Sequence, residues 1–346
     1  MATGDETFSY DHMKELKEFD NSNIGVKGLS ESGITTIPVF FIQPPETLSD
    51  LKSSSTCTEI PLIDLSNVNS DLHRPKIVEQ ISEAARTWGF FQVINHGVPV
   101  LALDEIIVGI KAFHEQPIEV RGKQYVREVA RGVMYASNND LYRSKAAGWY
   151  DSLQVWMAPE PAKVEDIPAV CRREVVEWDM LAKKVATTCK GFSDTRLFMG
   201  HCYPYCPQPD LTVGIKSHTD YGLLTVLLQN QVHGLQVKHG DEWVNVKPLR
   251  EGLIINIGDS LQILSNGEYK NVEHRVLANS SKESRISVVE FFQVDKRNES
   301  CSYGPLPELL SPEKPAIYRN FTMREFQENF YSKEIDSKSL VEKLKL

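Results

Sequence analysis

The 346-residue sequence has no apolar run long enough to span a bilayer; its longest candidates, such as LLTVLL, are strand-sized. It has no excess of positive charge. A formal net charge of −9 argues against a broad nucleic-acid surface, which needs clustered Lys and Arg, though a local basic pocket for an anion is still allowed. The opening MATGDETFSYDHMKELKEFD lacks the basic start and apolar stretch of a secretory signal, so a cytoplasmic protein is expected. Cysteine is sparse. Cys57, Cys171, Cys189, Cys202, Cys206 and Cys301 are scattered, and they read as reduced thiols rather than a disulfide framework. HCYPYC has prolines and no second Cys/His pair at finger spacing, which disfavours a zinc cluster. There is no internal repeat.

What is present divides by texture. DHMKELKEFD predicts a first helix with Met13, Leu16 and Phe19 at helical spacing. Residues 25–58, rich in Gly, Pro, Ser and Thr, are expected to be extended and largely without regular structure. EIPLIDL reads as a strand. RPKIVEQISEAARTWG reads as a helix, with Pro75 in its first turn, Ile77, Ile81, Ala84 and Trp88 on one face, and Gly89 at its end. FFQVIN predicts a strand, ALDEIIVGIKAFHEQ a helix, and Pro168 to Thr188 another helix with Cys171, Val175, Trp178 and Val185 on one face. From about residue 197, short apolar runs alternate with turn signals: LFMGHCYP, LLTVLLQ, GLQVKHG, EWVNVKP, LIINIG, NVEHRVLAN and RISVVEFFQV. That rhythm predicts a β-sandwich or barrel, closed by a helix over TMREFQENFYSK.

The chemistry concentrates in three places. In KSHTDYG, His218 and Asp220 are two residues apart, so in extended backbone both side chains point to one face. His274, in VEHRV, lies on a later strand that a barrel can bring close. Two imidazoles and one carboxylate suit non-haem Fe(II) with open coordination positions, although a catalytic zinc can use the same set. Alternation along RISVVEFFQV puts Arg285, Ser287, Val289, Phe291 and Gln293 on one face. An Arg on an apolar inward face is costly unless it meets an anion, either a core carboxylate or a ligand. Arg's planar fork fits a carboxylate, to which Ser adds a hydrogen bond.

These motifs together resemble the plant 2-oxoglutarate- and Fe(II)-dependent dioxygenases. YPYCPQPDLTVGIKSHTD, LTVLLQNQVHGLQV, EGLIINIGDSLQILSNGEYKNVEHRVLAN and RISVVEFF are similar to that family's catalytic core, and IPLIDL and WGFFQVINHGV to its N-terminal region. The opening ELKEFDNSNIGVKGLSESGITTIPVFFIQP is similar to the group of 1-aminocyclopropane-1-carboxylate oxidase homologues and desacetoxyvindoline 4-hydroxylase. The resemblance implies a mainly β fold with flanking α-helices around a double-stranded β-helix (jelly-roll) core. The expected divisions are an N-terminal helix and extended segment (1–58), an N-terminal dioxygenase region (59–165), the jelly-roll core (197–296) and a C-terminal tail (297–346). It implies Fe(II) held by His218, Asp220 and His274. The far carboxylate of 2-oxoglutarate would be bound by Arg285, Ser287 and Tyr203, with O2 as co-reactant and ascorbate as reductant. The expected reaction oxidises an apolar small molecule of plant specialised metabolism, releasing succinate and CO2. Tyr135, Val289 and Phe291 are the expected substrate-binding residues. Nucleic acid and membrane are not expected partners, and a monomer is expected.

Two departures stand out. Near Thr188 and Cys189 the chain looks shorter than family members, which carry a longer helix and turn there, and Tyr150 in GWYDSL stands where this group leads one to expect Arg. Tyr150 is therefore expected to alter either a surface ion pair or the pocket edge. Three other readings stay open: an ascorbate-dependent oxidase of the 1-aminocyclopropane-1-carboxylate type, an inactive ligand-binding variant, and a zinc hydrolase. The last is disfavoured because it leaves Arg285 and Ser287 without a role. His114, His233 and His239 are expected to be ordinary polar residues, His96 structural, and His201 a neighbour of the cosubstrate strand rather than a ligand.

Overall fold

In a computed structural model of the chain, the described residues are 11–51, 59–127, 132–139, 141–186, 195–294, 302–322, 324–325, 328 and 340–346. The first helix, α1 (His12–Asn21), starts where the Asp11 side chain accepts from the Lys14 amide; it buries Leu16 and Phe19 and leaves Met13 exposed. The segment after it departs from expectation. Residues 25–51 form α2 (Gly25–Glu31), a single 3-10 turn (Val39–Phe41) and α3 (Pro45–Leu51). The reason is tertiary. The amides of Val26 and Lys27, unpaired within α2, donate to the Asp151 carboxylate at 2.8 and 2.9 Å, and Asp151 is far away in sequence. At the end of α3, Asp50 accepts from Trp243 and Arg275.

The helices that flank the sheet follow their apolar stripes. These are α4 (Arg74–Thr87), α5 (Val100–His114), the single turn α6 (Ile118–Arg121) and α7 (Arg172–Ala186). Leu103, Ile106, Ile110 and Phe113 of α5 are fully buried, as are Val175, Trp178 and Ala182 of α7. α7 starts four residues later than expected, because Pro168 to Cys171 close a turn first, with the Cys171 amide bonded to the Pro168 carbonyl. The shortened segment at Thr188–Cys189 and most of the closing TMREFQENFYSK helix lie outside the described residues.

The strands are β1 (Leu62–Asp64), β2 (Phe90–Ile94), β3 (Val133–Ser137), β4 (Asp151–Ala158), β5 (Thr195–Tyr203), β6 (Val213–His218), β7 (Leu224–Gln229), β8 (Leu235–His239), β9 (Glu242–Asn245), β10 (Leu253–Ile257), β11 (His274–Leu277) and β12 (Arg285–Gln293). A large sheet runs β1-β2-β10-β7-β12-β5-β4-β3, and a smaller one runs β6-β11-β8-β9. β3 and β4 are additions to the expected strands; they extend the large sheet beyond β5. A short helix, α8 (Asp259–Leu264), follows β10; a small pair, β13 (Ser302–Tyr303) and β14 (Phe321–Thr322), comes later, and a last helical turn, α9 (Leu340–Lys343), packs against α8.

Alternation then sorts side chains between two layers. On β12, Ile286, Val288 and Phe292 join the core beneath α5 and α7. Arg285, Ser287, Val289 and Phe291 take the opposite face, where Tyr203, Ile254 and Phe90 of the large sheet meet Leu235, Val237 and Val276 of the small one. This mixed sandwich with a helical outer layer is a jelly-roll core, and Arg285, Ser287, Val289 and Phe291 face the space between its sheets.

Candidate active site

His218 ends β6 and His274 begins β11, and the two are register partners across that antiparallel pair. Their ring centroids are 4.2 Å apart. Asp220 follows in the turn after β6, with its Oδ1 3.7 Å from Nε2 of each histidine. One ligand atom from each of the three lies within 4.8 Å of the others, the only such cluster among the described residues. Each imidazole is oriented by its other nitrogen: Nδ1 of His218 donates to the Lys216 carbonyl at 2.8 Å, and Nδ1 of His274 to the Val272 carbonyl at 3.3 Å. Those bonds leave both Nε2 atoms as lone-pair donors aimed at one point. Burial pushes the His274 imidazole down to about 4, so it is neutral and able to ligate at neutral pH.

The carboxylate is positioned as carefully. Oδ2 of Asp220 accepts from Thr225 Oγ1 and Asn256 Nδ2, both at 2.5 Å, which leaves Oδ1 for a cation. The turn carrying Asp220 is clamped against the start of α8: the Asp259 amide donates to the Asp220 carbonyl at 2.7 Å and the Ser260 amide to the Gly222 carbonyl at 3.0 Å. Gly258 allows this approach, since a Cβ there would meet the Gly222 oxygen at 2.2 Å. Thr225 and Asn256 were missed by the sequence reading. Their signal was a polar residue at an inward position of an otherwise apolar strand.

Beside this cluster is a buried cation. Arg285 is fully buried; Nη2 donates to Gln229 Oε1 at 2.7 Å, while Nε and Nη1 have no hydrogen-bond partner. An internal guanidinium with two unpaired donors and no core carboxylate to pair with among the described residues is what an anionic ligand would satisfy. Tyr203 is its register partner, and the Tyr203 ring lies 4.8 Å beneath the guanidinium. Burial raises the Tyr203 phenol, which keeps its proton and can donate. Ser287 is buried on the same face and pairs across the sheet with His201, whose Nδ1 is 2.6 Å from Ser152 Oγ. Burial, with Arg285 nearby, pushes His201 down to about 3, so it is a neutral group in this wall.

The substrate candidates separate. Val289 and Phe291 lie in an apolar cluster with Leu197, Met199, Trp156 and Leu227, and Phe291 is the register partner of Thr225, which holds Asp220. Tyr135 is not brought there. Its ring packs edge-on against Phe113 and Tyr125, with its hydroxyl 3.5 Å from Asp151, on the helix side of the sheet. The strand's alternation gives the interior face to its neighbour Met134, partner of Gln154 and, through it, Met199. His96 bridges the Glu251 carbonyl and the Val98 amide, and His239 stacks on Trp88 at 3.7 Å; both are structural. His114, expected to be an ordinary polar residue, is instead fully buried in the core beneath the sheet. No helix among the described residues is long and apolar enough to cross a membrane.

A sandwich with a His-Asp-His cluster and an internal arginine is the frame of an oxygen-activating iron enzyme. Residues 194–294 match the 2OG-Fe(II) oxygenase superfamily, and residues 60–171 match the non-haem dioxygenase in morphine synthesis N-terminal domain. The chain is 43% identical to 1-aminocyclopropane-1-carboxylate oxidase homolog 4 of Arabidopsis thaliana, over 96% of this chain and 98% of that one. It is 39% identical to the 1-aminocyclopropane-1-carboxylate oxidase homolog of Solanum lycopersicum, over 98% of each chain. Among solved structures it resembles JOX2 in complex with 2OG, Fe and JA (TM-score 0.80, 28% identity, 93% of this chain and 97% of that one). It also resembles the dioxygenase for auxin oxidation in rice (TM-score 0.69, 25% identity, 83% of this chain and 100% of that one). The chain belongs to the 2OG-Fe(II) oxygenase superfamily. It is a dioxygenase whose cofactors are iron and 2-oxoglutarate.

Proposed function

We propose that this chain hydroxylates an apolar small molecule of plant specialised metabolism, with His218, Asp220 and His274 as the iron ligands and Arg285, Ser287 and Tyr203 binding the far carboxylate of 2-oxoglutarate. When bound, the iron and 2-oxoglutarate couple O2 activation to decarboxylation, releasing succinate and CO2. The chain's own residues hold, orient and exclude. His218 and His274 offer their Nε2 atoms, each ring being oriented through Nδ1, and Asp220 offers one oxygen while its other is tied down. Arg285 presents two unpaired donors, oriented by Gln229 from one side and by the Tyr203 ring from below. His218, Asp220 and His274 would hold the iron while leaving coordination positions for cosubstrate and O2.

The unsatisfied Arg285 fork carries this reading best. The apolar cluster of Leu197, Met199, Val289, Phe291 and Trp156 on the site's face of the sheet supports an apolar substrate, which would have to fit against side chains that offer it few hydrogen bonds. The test is turnover with a panel of apolar plant metabolites, following succinate and the hydroxylated product. Stoichiometric succinate and hydroxylation in the absence of ascorbate, at reduced total turnovers, is the expected result. Turnover that needs ascorbate but not 2-oxoglutarate would overturn it in favour of the oxidase type.

A further inference from the structure

Tyr150 occupies a position the reaction has not yet used. It immediately precedes β4 and is nearly fully buried, at 6% exposure, so it lies in the interior rather than on the surface. Its ring stacks on Tyr203 with centroids 5.9 Å apart and planes inclined by 28°. It also meets His201 edge-on at 5.9 Å. Tyr203 in turn lies under the Arg285 guanidinium at 4.8 Å, so the three side chains form one column: Tyr150, Tyr203, Arg285. Asp151, the next residue, points the other way and is anchored by the Val26 and Lys27 amides of α2 and by Ser137. A Cβ built at Gly148 would come within 2.2 Å of the Gly214 oxygen and 3.2 Å of the Tyr150 ring, so a side chain at position 148 would crowd this column.

We propose that Tyr150 is a positioning residue for the 2-oxoglutarate pocket: it fixes the plane of Tyr203 and, through it, the direction of the Arg285 fork. This rests on the assignment of Arg285 and Tyr203 to the cosubstrate. A guanidinium without a full set of hydrogen bonds is held in place by what lies against its faces, and a ring free to tilt would let it turn away from the ligand. Aromatic pairs at this spacing contribute beyond the area they bury, and a planar neutral side chain suffices for that. An Arg here would lay a second cation against the Tyr203 ring, so Tyr has a chemical consequence at this position.

The experiment compares wild type, Tyr150→Phe, Tyr150→Leu and Arg285→Lys as full-length chains. 2-Oxoglutarate binding is measured by anaerobic calorimetry with Mn(II) in place of iron, alongside Mn(II) affinity and thermal stability. Tyr150→Leu is expected to weaken 2-oxoglutarate roughly three- to tenfold, with Mn(II) affinity unchanged and Tyr150→Phe close to wild type. Tyr150→Leu binding 2-oxoglutarate like wild type, while Arg285→Lys is impaired, would overturn the role of Tyr150 alone. Arg285→Lys binding like wild type would instead overturn the cosubstrate assignment beneath it. Equal loss of Mn(II) and 2-oxoglutarate affinity in Tyr150→Leu would also overturn the proposal, since it marks general damage rather than positioning.

Discussion

Asp220 is held by two donors, Thr225 and Asn256, and removing them is the most informative perturbation of the metal site. Both bonds are 2.5 Å long and converge on the same oxygen, Oδ2, so together they set the rotation of the carboxylate and leave Oδ1 facing the two imidazoles. Thr225→Val removes one donor at nearly constant volume, and Asn256→Leu removes the other. Losing a partner that orients a metal ligand lowers metal affinity by about 10- to 100-fold, equivalent to about 1.4–2.7 kcal/mol. Each substitution is expected to fall in that range. The double variant is expected to lose less than the product of the two, because a carboxylate released by one donor is already partly free to rotate and the remaining bond then orients it less well. The assay is anaerobic Fe(II) binding by competition with a chromophoric chelator, with circular dichroism to verify the fold. The apo-protein should change less than the loaded one, since hydrogen bonds to a charged group contribute about 1.5–3 kcal/mol each and water can replace part of that near a partly accessible cluster. Wild-type iron affinity in the folded double variant would refute the reasoning that these two residues position Asp220.

Two further predictions concern the frame around the site. His114 is fully buried, its Nε2 donates to the Gly200 carbonyl at 3.3 Å, and burial pushes it down to about 3. It is neutral when folded but takes a proton when unfolded below its ordinary value near 6.5, so stability is lost as pH falls from about 6.5 towards 3, by up to about 1.4 kcal/mol per pH unit. Urea unfolding at pH 7 and 5.5 should show His114→Phe with a shallower pH dependence than wild type; parallel slopes would contradict this. Gly258→Ala would put a methyl group against the Gly222 oxygen, so the turn carrying Asp220 must shift. Weakened Fe(II) binding with little change in far-ultraviolet dichroism is expected, and unchanged binding would show that the clamp between α8 and this turn is not needed.

The parts of this fold that local pattern encodes were legible. The stripe Leu103, Ile106, Ile110 and Phe113 gave α5, and the alternation from Arg285 to Phe291 separated the two faces of β12 as observed. His218, Asp220 and His274 converge because a strand end and a strand start pair in register, which the motif implied through its resemblance to a family. What escaped depends on distant partners. α2 is held by Asp151 and α3 meets Trp243 and Arg275, so neither could be seen in a segment rich in Gly, Pro, Ser and Thr. β4 pairs along the edge of β5, and β3 in turn along β4. Tyr135 illustrates a one-residue hazard: in a strand, adjacent residues face opposite layers, and Met134 is the one that faces the interior. Tyr150 stands out in the sequence, but only its burial and its stacking on Tyr203 place it in the interior rather than at the surface.

The measurement that bears most directly on the central claim is an anaerobic titration of the apo-protein with Fe(II) and then 2-oxoglutarate. It would follow the weak visible charge-transfer absorption of the chelate in wild type and in Arg285→Ala. Truncating one partner of a buried charge pair costs about 2–5 kcal/mol, so the variant should need at least about thirtyfold more 2-oxoglutarate for the same absorption. Its Fe(II) affinity should be unchanged. Identical midpoints in the two proteins, or no absorption at all in folded protein that binds iron, would contradict the assignment of Arg285 to the cosubstrate.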